Sequence, residues 1–167
     1  MLDLENLENS ETCEDLEEIK SFWATIVDKI DTSYLKDAKL KIANMDGLKA
    51  TESNAIALTE GRADDSGLHF EISFDEVFYD LKLHWQIAVI CHEVAHAIRI
   101  QEWYESLMLG QCAIDDWKEY AATDGHDEAW EQIAKRIAAI IGIEPDMAAI
   151  KHIDFTDNKY FQTQIDF

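Results

Sequence analysis

The sequence predicts a single α+β domain in which a small antiparallel three-stranded sheet packs on helices. Three observations predict it. Apolar residues recur at three- and four-residue steps early and late in the chain. Short alternating segments separated by turn residues fill positions 38–74. Between them and the last helical stripe runs a long segment, free of Gly and Pro, that is apolar nearly all round. With 167 residues there is room for one domain, divided here into an acidic end at 1–11, a domain at 12–145 and a packed tail at 146–167.

The first ten residues read as a solvated end. Leu16, Ile19, Phe22, Trp23, Ile26 and Ile30 then mark an amphipathic helix over 12–31, with Thr12 and Asp15 placed to cap it. Leu40 and Ile42 alternate with Lys39 and Lys41, and Asn44-Met45-Asp46-Gly47 reads as a turn. Ala55-Ile56-Ala57-Leu58 is a short apolar run closed by Glu60-Gly61. After Asp64-Asp65-Ser66-Gly67, the residues Leu68, Phe70, Ile72 and Phe74 alternate with polar ones. Three strands with tight connections suggest an antiparallel meander. Ser73 or Asp75 can cap a brief helix through Leu81.

From Leu83 to about Leu109 the pattern is that of a helix running through a core rather than along a surface, ended by Gly110. A short helix is expected at Asp115–Ala122. Ala129, Trp130, Ile133, Ile137, Ile140 and Ile141 form the next stripe, stopped by Gly142 and Pro145. One further helical turn is expected after Asp146. Phe155, Tyr160, Phe161 and Phe167 are then expected to fold back on the domain.

Composition excludes several classes. Thirty-five acids against fourteen bases give a net charge of −21, a field that repels nucleic-acid phosphate and anionic membrane. Cys13, Cys91 and Cys112 form no C-x-x-C pair, which argues against a disulfide framework and for a reducing compartment. With neither a leader-like start nor a membrane-spanning run, a cytoplasmic location is expected.

The chemistry lies in His92-Glu93-Val94-Ala95-His96, an H-E-x-x-H pattern in a chain holding only six His. At 100° per residue the two imidazoles fall on one helix face, one turn apart, shared with Trp85, Val89, Arg99 and Trp103. Both can therefore reach one Zn2+ ion. Glu93 lies about 80–100° round the helix from His92. There it can take a proton from a zinc-held water without being a ligand, and pass it to a leaving amine. The plain alternative is a core helix whose two His find ordinary hydrogen-bond partners.

A third ligand is needed, and Glu119, Asp124, His126, Asp127, Glu128 and His152 are the downstream candidates. Gly125-His126-Asp127-Glu128-Ala129-Trp130 stands out. Gly125 permits a turn, His126 opens the next helix, and Trp130 follows on the same face. Glu119 is the rival, within a segment that superficially resembles the pattern in which a Glu ligand precedes an Asp by four residues. Here Asp124 is five away, which breaks the same-face geometry. Asp124 and Asp127 are candidates for accepting imidazole N–H groups. His69 is expected to face solvent, and Arg99 and Trp103 to serve packing or an ion pair.

With these residues the chain resembles the SprT-like (Spartan-type) zinc metalloproteases, whose pattern is H-E-x-x-H followed at a distance by G-H-G-x-x-F/W. His92, Glu93 and His96 match the first part, and Gly125, His126 and Trp130 the second, over about residues 12–142. The resemblance implies a zincin-like minimal metalloprotease domain. In it His92, His96 and His126 hold Zn2+, Glu93 is the catalytic base, and a protein or peptide is the substrate. Asp127 stands where the family has Gly, and 29 residues (97–125) separate His96 from His126. No cysteine ribbon follows, and the acidic charge speaks against direct DNA binding. A basic substrate suits the field. Two other readings stay open: a structural zinc-binding module without turnover, and a regulatory metalloprotease that cleaves a repressor.

Overall fold

The computed structural model describes residues 2–30, 35, 39–46, 55–111, 125–151 and 158–162. Helix α1 (Leu16–Ile30) is followed by strands β1 (Lys39–Asn44), β2 (Ala57–Asp64) and β3 (Gly67–Phe74). A 3-10 segment, Glu76–Asp80, leads into α2 (Leu83–Met108), then α3 (Glu128–Ile141) and the single turn α4 (Pro145–Ala148). The fold is α+β, as the residue pattern predicts.

The helix starts later than expected. Asp15 Oδ1 accepts the Glu18 amide at 2.9 Å and is the cap of α1. Thr12 cannot take that role because its neighbour Cys13 is bound elsewhere: its amide donates to Gln86 Oε1 at 2.8 Å, and its carbonyl accepts from Gln86 Nε2 at 3.1 Å. Gln86 lies fully buried on α2, so this pair of bonds holds the segment before α1 extended against the core. The N-terminal end is likewise packed rather than solvated. Leu2 is 5 % exposed, and Leu4 and Leu7 lie against the same core.

The sheet is mixed, not an antiparallel meander. Its order is β1-β3-β2. β1 runs parallel to β3, pairing Leu40 with Phe70 and Ile42 with Ile72, while β2 runs antiparallel, pairing Thr59 with Ile72 and Arg62 with His69. The cause is the connection between β1 and β2. Residues 45–56 are too many for a tight hairpin, and β3 lies between the other two strands. Both flanks of that connection are tied to the same end: the Met45 amide donates to Phe74 O, and the Asp75 amide to Ile56 O, each at 2.8 Å. The central place goes to the strand with the most completely buried side chains, Phe70, Ile72 and Phe74.

β2 also runs straight through Glu60-Gly61, where the sequence suggests a stop. Gly61 is a close-approach residue. A Cβ there would lie 2.9 Å from Ile100 Cγ2 of α2. The turn lies further on, at Asp64–Gly67, where Asp64 Oδ1 accepts from the Ser66 amide and hydroxyl at 2.8 and 2.6 Å. His69 lies on the face of β3 opposite Phe70, one-fifth exposed, with Nε2 3.0 Å from Asp64 Oδ1.

α2 crosses the core, with Ile87, Ile90, Cys91, Val94, Ala95 and Ala97 at 1 % exposure or less. Gly110, at φ +69°, follows its end. Asp75 caps the 3-10 segment through the Val77 amide at 3.0 Å, as expected. The tail returns to the core: Tyr160 is buried, its carbonyl accepts the Lys82 amide at 2.8 Å, and its ring meets Trp85 at 4.6 Å. Cys13 and Cys91 are free, buried thiols. Asp115–Ala122, Cys112, Phe155 and Phe167 lie outside the described residues. Among the described residues no helix is long and apolar enough to cross a membrane.

Candidate metal centre

His92 and His96 lie one turn apart on α2, and His126 reaches them from the segment before α3. The bend into that segment is made by Gly125, at φ +74°. Asp127 then fixes the start of α3: its Oδ1 accepts the Trp130 amide at 2.8 Å. The same carboxylate takes Arg99 of α2, with Nη2 at 2.9 Å and Nε at 3.1 Å from Oδ2. His126 is therefore the residue just before a cap that is itself anchored to the helix bearing the other two His. Asp127 accepts from Arg99 and the Trp130 amide rather than from an imidazole N–H, contrary to the expectation.

The three Nε2 atoms form a nearly equilateral triangle. His92 to His96 is 3.1 Å, His96 to His126 is 3.2 Å and His126 to His92 is 3.1 Å. For nitrogens about 2.0–2.1 Å from a tetrahedral zinc, neighbouring donors lie roughly 3.3–3.4 Å apart. The triangle is close to that size. The three His lie close enough to hold a metal ion, and among the described residues they are the cluster that can.

The protonation pattern agrees. His92 Nδ1 is 3.1 Å from the Ala148 carbonyl, which can only accept. Nδ1 therefore carries the proton, and in the neutral ring Nε2 presents its lone pair to the triangle. Burial, reinforced by His126, holds His92 down at about 3. Burial, with His92 and His126 beside it, holds His96 at about 2. Neutral imidazole is the form that ligates a metal ion.

Below them lies Trp130, fully buried. Its ring centroid is 4.6, 5.0 and 4.5 Å from those of His92, His96 and His126, stacked on His96 at 21°. This leaves the rings little room to turn.

Glu93 is 3 % exposed, and burial raises its carboxyl to about 7 against the opposing hydrogen bond from Thr59. Thr59 Oγ1 donates to Oε2 at 2.6 Å, and Oε1 stands 4.0 Å from His92 Nε2. The carboxylate stands 4.0 Å from one of the three donor nitrogens without being one of them, and burial raises its affinity for a proton.

Sequence reasoning brings together four residues that the fold also brings together: His92, Glu93, His96 and His126. Glu119, Asp124 and His152 lie outside the described residues. Arg99 makes the ion pair expected of it. Two contributors were not foreseen. The Ala148 carbonyl carries no side-chain signal. Thr59 could have been suspected from Ala57, Thr59, Gly61 and Ala63, small side chains at every second position, which mark a strand face lying close to a helix. No family model, curated protein or solved structure matches the chain.

Proposed function

We propose that the chain is a zinc-dependent endopeptidase of the SprT-like type, with His92, His96 and His126 holding the ion and Glu93 as the base. The observation that carries the reading is the pairing of three converging imidazole nitrogens with a buried carboxylate oxygen 4.0 Å from one of them. Three neutral nitrogen donors suit zinc, which keeps a fourth position for solvent or substrate when the protein supplies three ligands. Bound there, zinc supplies a Lewis acid that polarises a carbonyl and makes a water acidic near neutral pH.

The chain's own residues do the rest. Glu93 Oε1 accepts a proton from the attacking water and returns it to the departing amine, so that the amide C–N bond breaks with a neutral leaving group. Trp130 and the Ala148 carbonyl keep the imidazoles aimed. The net charge of −21 favours capture of basic peptide segments and disfavours nucleic acid. A closed structural zinc site has no use for a buried carboxylate beside its donors, which is why the catalytic reading is preferred.

Glu93→Gln tests it. The variant should bind zinc with the parent's stoichiometry and lose hydrolysis of a pool of quenched fluorogenic peptides by at least about 100-fold, the scale of a lost general base. Cleavage by Glu93→Gln at the parent's rate would falsify the assignment.

A further inference from the structure

The two oxygens of the Glu93 carboxylate have different surroundings. Oε2 receives the Thr59 hydroxyl at 2.6 Å, and Oε1 is 4.0 Å from His92 Nε2. A glutamate carboxylate turns about a broad, two-fold terminal torsion, so nothing in the side chain itself decides which oxygen faces which neighbour. The deciding group comes from the sheet. Thr59 is β-branched and stiff at its first torsion. It pairs in register with Ile72 of the central strand, which is fully buried. Two residues further on, Gly61 lets β2 approach α2 so closely that a Cβ would meet Ile100 Cγ2 at 2.9 Å. The hydroxyl is thus delivered by a fixed strand to a fixed helix.

We propose, on the peptidase reading above, that Thr59 is a positioning residue whose hydroxyl pins Glu93 Oε2 so that Oε1 alone is presented to the three-imidazole cluster. Thr59 touches neither the imidazole nitrogens nor the reacting atoms in this arrangement. It acts through Glu93, and it restricts the base to one oxygen and one direction. Misdirection of a catalytic group by about 1 Å costs on the order of 100-fold.

Thr59→Val removes the hydroxyl and keeps the branched shape and the strand preference, and Thr59→Ser keeps the hydroxyl and loses the methyl. With zinc loaded, Thr59→Val should bind the parent's amount of metal. Its kcat on the quenched peptide pool should fall roughly 10- to 100-fold at unchanged KM. Thr59→Ser should recover most of that loss. A second reading needs neither metal nor turnover. In zinc-free protein in alkaline buffer, the difference infrared spectrum of each form against its own Glu93→Gln partner isolates one carboxylate. Its stretching bands should shift in Thr59→Val and return in Thr59→Ser. Parent-like kcat or unshifted bands in Thr59→Val would overturn the proposal, as would a Ser variant as slow as the Val one. If the zinc-loaded parent cleaves nothing, the peptidase reading fails, and the infrared comparison still decides whether Thr59 pins the carboxylate.

Discussion

Arg99 Nη2 lies 2.9 Å from Asp127 Oδ2, and this one ion pair ties the helix bearing His92 and His96 to the residue directly after His126. Asp127 also caps α3 through the Trp130 amide. One carboxylate therefore sets both the start of α3 and its place against α2. An acidic side chain does work here that a glycine could not.

Asp127→Ala should destabilise the zinc-free protein by about 0.5–3 kcal/mol, a lost cap of roughly 0.5–2 kcal/mol plus a partly exposed ion pair of up to about 1 kcal/mol. Asp127→Asn, which can still cap, should lose less. Zinc affinity should fall in the order parent, Asn, Ala, because His126 is placed by its neighbour. Urea denaturation and competitive zinc titration measure the two effects. Parent-like zinc affinity in Asp127→Ala would show that His126 is held independently of the cap.

His126→Ala should lower zinc affinity by more than about 100-fold, beyond the range seen for the loss of an outer-shell partner. The effect follows from removing one corner of a triangle whose edges are 3.1–3.2 Å. Metal content after dialysis against a weak chelator reads it out. Unaltered content would transfer the third donor role to another group, with Glu119 first in line.

What could be read in the residues depended on how local the signal was. The convergence of the three His was legible because H-E-x-x-H acts through helical geometry alone, and Gly125-His126 sits at a break whose glycine needs positive φ. α2 and α3 were legible from uninterrupted periodicity and glycine stops. The sheet order was not. β1 and β2 look like neighbours in sequence, but the central place belongs to β3, whose Phe70, Ile72 and Phe74 are the most completely buried, and relative burial of whole strands is not a local signal. The cap of α1 was misplaced because its real competitor, Gln86, stands 73 residues from Cys13. Side chains that bind distant backbone leave no trace in local pattern, and the His92–Ala148 bond is of the same kind.

The zinc-free protein should be most stable near pH 6.5, and the sign follows from three groups. His92 and His96 are lowered from 6.5, mainly by burial, to about 3 and about 2. Their stabilising contribution is present above pH 6.5 and lost as pH falls, because the unfolded chain takes up protons that the folded chain refuses. Glu93 is raised from 4.5 to about 7, so it works the other way: its contribution is present below pH 4.5 and lost as pH rises through about 7. Between 4.5 and 6.5 the unfolded chain binds two protons at the His pair and the folded chain one at Glu93. The net uptake on unfolding is one proton, 2 − 1 = 1. Stability should therefore rise with pH there, by at most roughly 1.4 kcal/mol per unit, then fall as pH passes from about 6.5 through about 7, and level off above that. Glu93→Gln should remove the alkaline fall and leave the acid limb. Saturating zinc should stabilise the parent most above about pH 7, where Glu93 is ionised in the folded protein and the ion offsets its charge; the folded His pair is already neutral well below that and adds no pH dependence there. Urea denaturation from about pH 5 to about pH 8 checks both limbs, and a flat profile in the metal-free parent would contradict the buried, neutral state assigned to the His pair.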